Sequence, residues 1–365
     1  MRSFNMKYLI CSAIFATIII PAFCKTNTFT AYFIGNSLTR GLSLDKMSKL
    51  FEQRNMSFDY GSQLGAGIML HEHLVKISSY NQSPFKINNI ESKKFGDYDN
   101  ALQNFKFDAL VLQPYQWFLN DKEHYKTKKN CPGDFSAISS FVRYASGENP
   151  TKNIATKRFV IYETWPRING IIGRKSKNFT DFYNSPYDEN LPAFNVSQTV
   201  PVREYTLELM KKLSKQFPDC EFRLAPVGEI FAKLDELIRT GKLPGIKEYC
   251  LRNSQYYKKA RSETKNFPFN DDFKQDMGIL NLYADLVHMN DQPHNGPEDG
   301  TLGAYIAAIT LFSVLTDESP IGLQPEGYTK LDKKEDARLL TSIQNIVYEI
   351  IINNPMTGIK KGVKK

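Results

Sequence analysis

Two short stretches of this 365-residue chain carry residue types that do chemistry together. The first is Tyr32-Phe33-Ile34-Gly35-Asn36-Ser37-Leu38-Thr39, an apolar run that stops at a turn-forming triplet. A serine in that place can cap the helix that follows. It can also act as a nucleophile, provided that a neighbouring base takes its proton. Five histidines could supply the base: His71, His73, His124, His288 and His294. The second stretch, Tyr283-Ala284-Asp285-Leu286-Val287-His288-Met289-Asn290, sets an acid three residues before a histidine. On one tight turn that carboxylate can hold one imidazole nitrogen, fix the tautomer and stabilise the imidazolium. Asp291-Gln292-Pro293-His294 repeats the spacing and is a rival pair. The chemistry would be acyl transfer, with Ser37 attacking a carbonyl carbon.

These residues lie far apart in sequence, so a fold must bring them together. Strand and helix signals alternate along the chain, which predicts an α/β fold with a mostly parallel sheet. Strands are expected over 29–34, 57–63, 107–112, 158–163 and 222–227. Helices are expected over 44–53, 68–77, 135–145, 202–217, 302–315 and 333–352. In such a sheet, ligands bind beyond the carboxyl ends of the strands, where Ser37 falls. The N–H groups at the start of the next helix could meet a developing anion. Gly65-Ala66-Gly67-Ile68 follows the second strand and could bring further backbone N–H groups close to a ligand. Stretches 168–200 and 244–276 fit the scheme poorly and read as insertions at the rim of the sheet.

The Gly35-Asn36-Ser37-Leu38-Thr39 turn resembles block I of the SGNH (GDSL-like) hydrolases. Asp285-x-x-His288, followed by Gly303-Ala304-Tyr305, resembles their block V. The resemblance covers most of residues 27–320. It implies a flavodoxin-like three-layer α/β/α sandwich with a mostly parallel central sheet. It also implies Ser37 as nucleophile, Asp285 as orienting acid and His288 as base. His288 follows a strand-like apolar run and precedes Met-Asn, as in the family; His294 lies nearer Gly303, as the family's short spacing would have it. The block II glycine matches Gly67 best, then Gly65. The family usually has Gly-x-Asn-Asp after its third strand. Here Leu112-Gln113-Pro114-Tyr115-Gln116 stands there, so Gln113 becomes the third candidate donor in an oxyanion hole with Ser37 and Gly67, and Gln116 a further one. Tyr162-Glu163-Thr164-Trp165 is similar to a Tyr-x-Thr-Trp of related members and places Trp165 either beside the cleft or in the core. Asn36, Gln116, Trp165 and His294 are the candidate substrate contacts. The implied activity is hydrolysis of an acyl ester, on a small molecule or a carbohydrate, without metal or organic cofactor. The missing asparagine keeps a competing expectation open: a non-catalytic, carbohydrate-binding protein on the same scaffold.

Composition sets the outer bounds. The chain is 41% hydrophobic and 13% aromatic, which is enough for a sizeable core. Arg2 and Lys7 precede an apolar run over 8–23, the pattern of an export signal cut near Lys25. That predicts a secreted or periplasmic protein: one domain over 25–355 and a basic tail over 356–365. No stretch is expected to sit stably in a membrane, since a span needs about 20 apolar residues. The net charge of +8 is scattered and forms no dense basic stripe, so nucleic acid is not an expected partner. Cys131, Cys220 and Cys250 follow the leader without CxxC spacing, so no zinc site is expected. An exported chain permits one disulfide, for which Cys220 with Cys250 is the favoured pair.

Overall fold

The structure is a computed structural model that describes residues 27–76, 94–115, 118–123, 130–146, 155–173, 175–188, 201–254, 262, 273–289, 301–329, 331 and 336–360. Five segments form the strands β1 (Asn27–Gly35), β2 (Met56–Leu64), β3 (Ala109–Leu112), β4 (Arg158–Glu163) and β5 (Glu221–Pro226). They pair in the order β2-β1-β3-β4-β5, every pair parallel. Alternate residues serve opposite faces. Ala31, Phe33, Val111, Val160 and Ala225 feed one core, while Tyr32, Ile34, Leu112, Ile161 and Leu224 feed the other. A strand buried on both faces reads as an unbroken apolar run, as ALVL does in β3.

The helices, in chain order, are α1 (Ser37–Arg40), α2 (Leu44–Glu52), α3 (Leu70–Val75), α4 (Tyr98–Asn104), α5 (Asp134–Ala145), α6 (Ile168–Gly173), α7 (Phe179–Tyr183), α8 (Val202–Gln216), α9 (Val227–Arg239), α10 (Ile246–Arg252), α11 (Leu302–Thr316) and α12 (Asp336–Asn353). The first core joins α2, α9, α11 and α12 to the sheet; the second joins α3, α4, α5 and α8. The result is a three-layer α/β/α sandwich. Every residue of α11 from Leu302 to Leu315 is buried, which explains why this helix is apolar all round. Among the described residues, no helix is long and apolar enough to cross a membrane.

The strand order 2-1-3-4-5 fixes where a site should lie. The chain leaves β1 for β2 on one side, then returns to β3 on the other. That switch opens a crevice beyond the carboxyl ends of β1 and β3. Ser37 stands at the end of β1.

Three expectations change. Helix α9 is an addition to the expected elements: it begins at Val227, directly after the last strand residue, with Pro226 at its cap and no polar capping signal. The stretches read as rim insertions are packed layers where they are described. Phe179, Phe182, Ile246 and Tyr249 join the first core. Asp235 on α9 is fully buried and ties the first of these stretches to the segment just after the second. It accepts from Thr180 Oγ1 at 2.7 Å and from the Ile279 N–H at 2.9 Å. Finally, Cys220 and Cys250 are not paired with each other. Cys250 belongs to the first core and Cys220 packs against the second, so the sheet separates them. Residues 1–26, where the export signal is expected, and residues 361–365 lie outside the described residues.

Candidate active site

The nucleophile turn is built from below by a buried polar network. Asn36 caps α1: its Oδ1 accepts from the Leu38 N–H at 3.0 Å. Gln113, just past β3, accepts at its Oε1 from the Asn36 N–H at 2.9 Å and from Thr39 Oγ1 at 3.0 Å. A Cβ on Gly35 would collide with Thr39 Oγ1 and crowd Gln113, so only glycine lets the strand end approach this closely. From the other side, His73 on α3 donates from Nε2 to the Gly35 carbonyl at 2.9 Å. Its Nδ1 accepts from Gln63 Nε2 at 3.1 Å, and Gln63 Oε1 accepts from the Tyr98 N–H at 3.0 Å. His73 is wholly buried, and burial pushes its pKa down to about 4, so the ring is neutral at neutral pH.

The candidate base lies in the loop after residue 282. His288 Nε2 lies 2.9 Å from Ser37 Oγ, and His288 Nδ1 lies 2.7 Å from Asp285 Oδ2. The other carboxylate oxygen accepts the N–H groups of Val287 and His288, both at 2.7 Å. Burial raises the Asp285 carboxyl, but the hydrogen bonds from His288 and the two backbone N–H groups outweigh it and hold the acid below the usual carboxylate range. An ionised Asp285 fixes the proton of His288 on Nδ1, which leaves the Nε2 lone pair facing the Ser37 hydroxyl.

This loop is tied down at several points. Trp165 Nε1 donates to the Val287 carbonyl at 2.8 Å, the Ile168 N–H to the Leu286 carbonyl at 3.0 Å, and Tyr283 Oη to the Pro166 carbonyl at 2.5 Å. Downstream, Thr301 caps α11 by accepting from the Ala304 N–H at 3.1 Å and donates to the Met289 carbonyl at 2.5 Å. A Cβ on Gly303 would strike that same Met289 carbonyl. The glycine therefore lets the base loop lie against the helix start.

Around this turn the N–H groups of Ser37 and Gly67, like that of Ala66, are given no protein acceptor among the described residues. Gly67 sits at the exposed apex of the β2–α3 turn with φ +67°, a conformation that favours glycine. Gly65 is different, because its N–H is spent on the Gly35 carbonyl at 3.2 Å.

The other expected positions divide. Gln113 is 1% exposed, its carbonyl supports the nucleophile turn, and its amide donates to the Pro114 carbonyl at 3.1 Å. It is a strut beneath the site. Asn36 is 1% exposed and spent on capping, so it offers no surface to a substrate. Trp165 is 3% exposed, packs edge-on against Phe231 at 5.0 Å and buttresses the base loop from within the core. It is no wall of the cleft. Gln116, His124 and His294 lie outside the described residues. Sequence reasoning misses His73 and Gln63. Both are polar residues on otherwise apolar faces, Gln63 beside Leu64 at the end of a strand and His73 one turn after Leu70. Buried polar groups must be paired, and that requirement is the available signal.

A separate cavity of about 400 Å³ opens near the end of β4, lined by Glu163, Tyr183, Arg203, Thr206 and Glu229 among others. Neither Ser37, Asp285 nor His288 lines it. Burial, with the nearby Glu229, pushes the Glu163 carboxyl up to about 8. Glu163 Oε1 accepts from Tyr183 Oη at 3.1 Å and its Oε2 from the Glu229 N–H at 3.1 Å.

A three-layer fold around a parallel sheet thus carries a serine, a histidine and an aspartate hydrogen-bonded in series at its switch point. Comparison with known proteins adds little. No protein-family model matches the chain, and no curated protein matches it. Among solved structures, a DUF4886 family protein from Bacteroides uniformis is a distant neighbour. It has 14% sequence identity and a TM-score of 0.45, over 92% of this chain and 100% of that one.

Proposed function

We propose that this chain is a serine esterase of the SGNH hydrolase type, with Ser37 as nucleophile, His288 as general base and acid, and Asp285 as the residue that orients the imidazole. One observation supports this above all: Ser37 Oγ, His288 and Asp285 form a continuous hydrogen-bonded series of 2.9 Å and 2.7 Å. Helix capping explains none of it, because Asn36 already caps α1. In the proposed reaction Ser37 Oγ bonds to the ester carbonyl carbon as its proton passes to His288 Nε2. Asp285 stabilises the imidazolium. The N–H groups of Ser37 and Gly67 receive the oxyanion. The tetrahedral intermediate collapses, the alcohol leaves with the proton from His288, and water repeats the sequence to release the acid. The charged and then apolar N-terminal segment supports export, so we place the substrate, an acylated small molecule or carbohydrate, outside the cytoplasm.

The test is hydrolysis of p-nitrophenyl acetate by the wild type and by Ser37→Ala. Loss of at least about a thousandfold in kcat is expected, since the variant keeps only binding and oxyanion stabilisation. Equal rates would end the esterase proposal and leave the non-catalytic, carbohydrate-binding alternative.

A further inference from the structure

The end of β4 carries an acid that the proposed reaction does not use. Glu163 is the last residue of that strand, and its side chain is buried where three helices converge. Tyr183 Oη on α7 donates to its Oε1 at 3.1 Å, and the Glu229 N–H in the first turn of α9 donates to its Oε2 at 3.1 Å. The Thr206 hydroxyl on α8 is a third partner. Helix α9 presses on the next residue as well: a Cβ on Gly228 would fall 2.5 Å from the Thr164 carbonyl oxygen. From here a short strap runs Thr164-Trp165-Pro166-Arg167-Ile168. Three of its residues hold the base loop: Trp165 through the Val287 carbonyl, Pro166 through Tyr283 Oη and Ile168 through the Leu286 carbonyl. Glu163 therefore sits at the root of the strap that fixes the loop of His288.

The charged and titratable groups around this carboxyl are Tyr183 from α7, Arg203 from α8, Glu229 from α9 and Glu349 from α12. Burial holds Tyr183 well above the usual tyrosine range, so it stays a neutral donor. Arg203 is exposed and donates to Asn184 Oδ1 at 3.1 Å, while Glu229 accepts from Asn354 Nδ2 at 2.8 Å. A neutral Glu163 fits this company. An ionised one adds a buried negative charge beside Glu229. With its carboxyl pushed up to about 8, Glu163 is mostly neutral at pH 7 and mostly ionised at pH 9. We propose that Glu163 is a positioning residue for the base loop, and that ionising its carboxyl loosens the strap and draws His288 out of line with Ser37. The kinetic consequence rests on the esterase proposal, but the movement of the strap can be read without turnover.

The first readout is kcat on p-nitrophenyl acetate at pH 7 and pH 9. If only the neutral acid holds the base in place, the wild type should fall about tenfold between these values, because about a tenth of the acid stays protonated one unit above its pKa. Glu163→Gln carries a neutral amide of the same shape at every pH, so its own kcat should be level across the range. A parallel fall in both proteins would overturn the proposal. The second readout is fluorescence. Trp117 and Trp165 are the only tryptophans of the chain, so Trp117→Phe reports on Trp165 alone. Its emission should shift to the red with a midpoint near pH 8 as the indole leaves the Val287 carbonyl. Trp117→Phe/Glu163→Gln should show no such step. A step that depends on Glu163 supports the proposal even if no ester is hydrolysed. Emission unchanged between pH 7 and pH 9 in Trp117→Phe, or a step that survives the glutamine, overturns it.

Discussion

The nucleophile turn and the base loop meet at the hydrogen bond between Ser37 Oγ and His288 Nε2, yet they are held in different ways. The turn is fixed from beneath by buried side chains: Gln113 on the Asn36 N–H, His73 on the Gly35 carbonyl, and Gln63 on His73. The base loop is partly open to solvent. It is fixed by its own short turn, with Asp285 accepting two N–H groups, and by clamps from Trp165, Ile168 and Thr301 on its backbone carbonyls. Side chains hold the serine through a network closed to water, whereas the histidine is held through main-chain contacts to neighbouring loops. A buried network loses a full partner when one member is removed, and so is costly to disturb. A loop clamped at several carbonyls can lose one clamp and keep the rest.

Four perturbations probe that difference, in descending size. Asp285→Asn disturbs the imidazole directly, because an amide can present the wrong group to Nδ1 and favour the wrong tautomer. It should lower kcat by about 10⁴-fold while leaving thermal stability nearly unchanged, as read by steady-state kinetics and calorimetry. The turn should show itself in acid. The buried His73 has a pKa near 4 in the fold against 6.5 when exposed. Between those values the unfolded chain binds the extra proton, so stability falls as the pH drops from 6.5 to 4. The wild type should lose on the order of 3 kcal/mol more across this window than His73→Gln, measured by urea unfolding. Equal pH slopes would mean that the turn does not depend on a neutral imidazole. Gly303→Ala pushes a methyl into the Met289 carbonyl and shifts the base loop. Activity should fall by about 100-fold, since a displacement near 1 Å is enough for that. Trp165→Phe removes one clamp and keeps the ring in its place against Phe231, so it should cost about tenfold in activity at most. A Trp165 effect as large as that of Asp285 would erase the contrast between network and clamps.

The same contrast decides how much of the molecule is legible in its sequence. All five strands of the parallel sheet are legible, the central ones most sharply, because a strand covered on both faces is an apolar run with clear ends: RFVIYE over 158–163 is β4 without a change of boundary. The Asp285–His288 pair is also legible, since its geometry is local and spacing alone permits the contact. What stays hidden depends on distant parts of the chain. Gln113 reads as an oxyanion donor, but the fold turns its carbonyl into the Asn36 N–H, 77 residues away in sequence. Trp165 and Asn36 read as substrate contacts, and burial places both beneath the surface. His73 is one of five histidines in the sequence and nothing local marks its role, because its partners Gly35 and Gln63 come from two other elements. Helix α9 is hidden for a local reason, as it follows β5 with no capping residue to announce it.

The central claim is that Ser37 is made nucleophilic by His288. Intact-protein mass spectrometry after exposure to a fluorophosphonate tests this directly, since the reagent labels only an activated hydroxyl. A single adduct is predicted on the wild type, mapping to Ser37. It should be absent from Ser37→Ala and strongly slowed in His288→Ala. Labelling at another residue, or an equal labelling rate without His288, would contradict the claim.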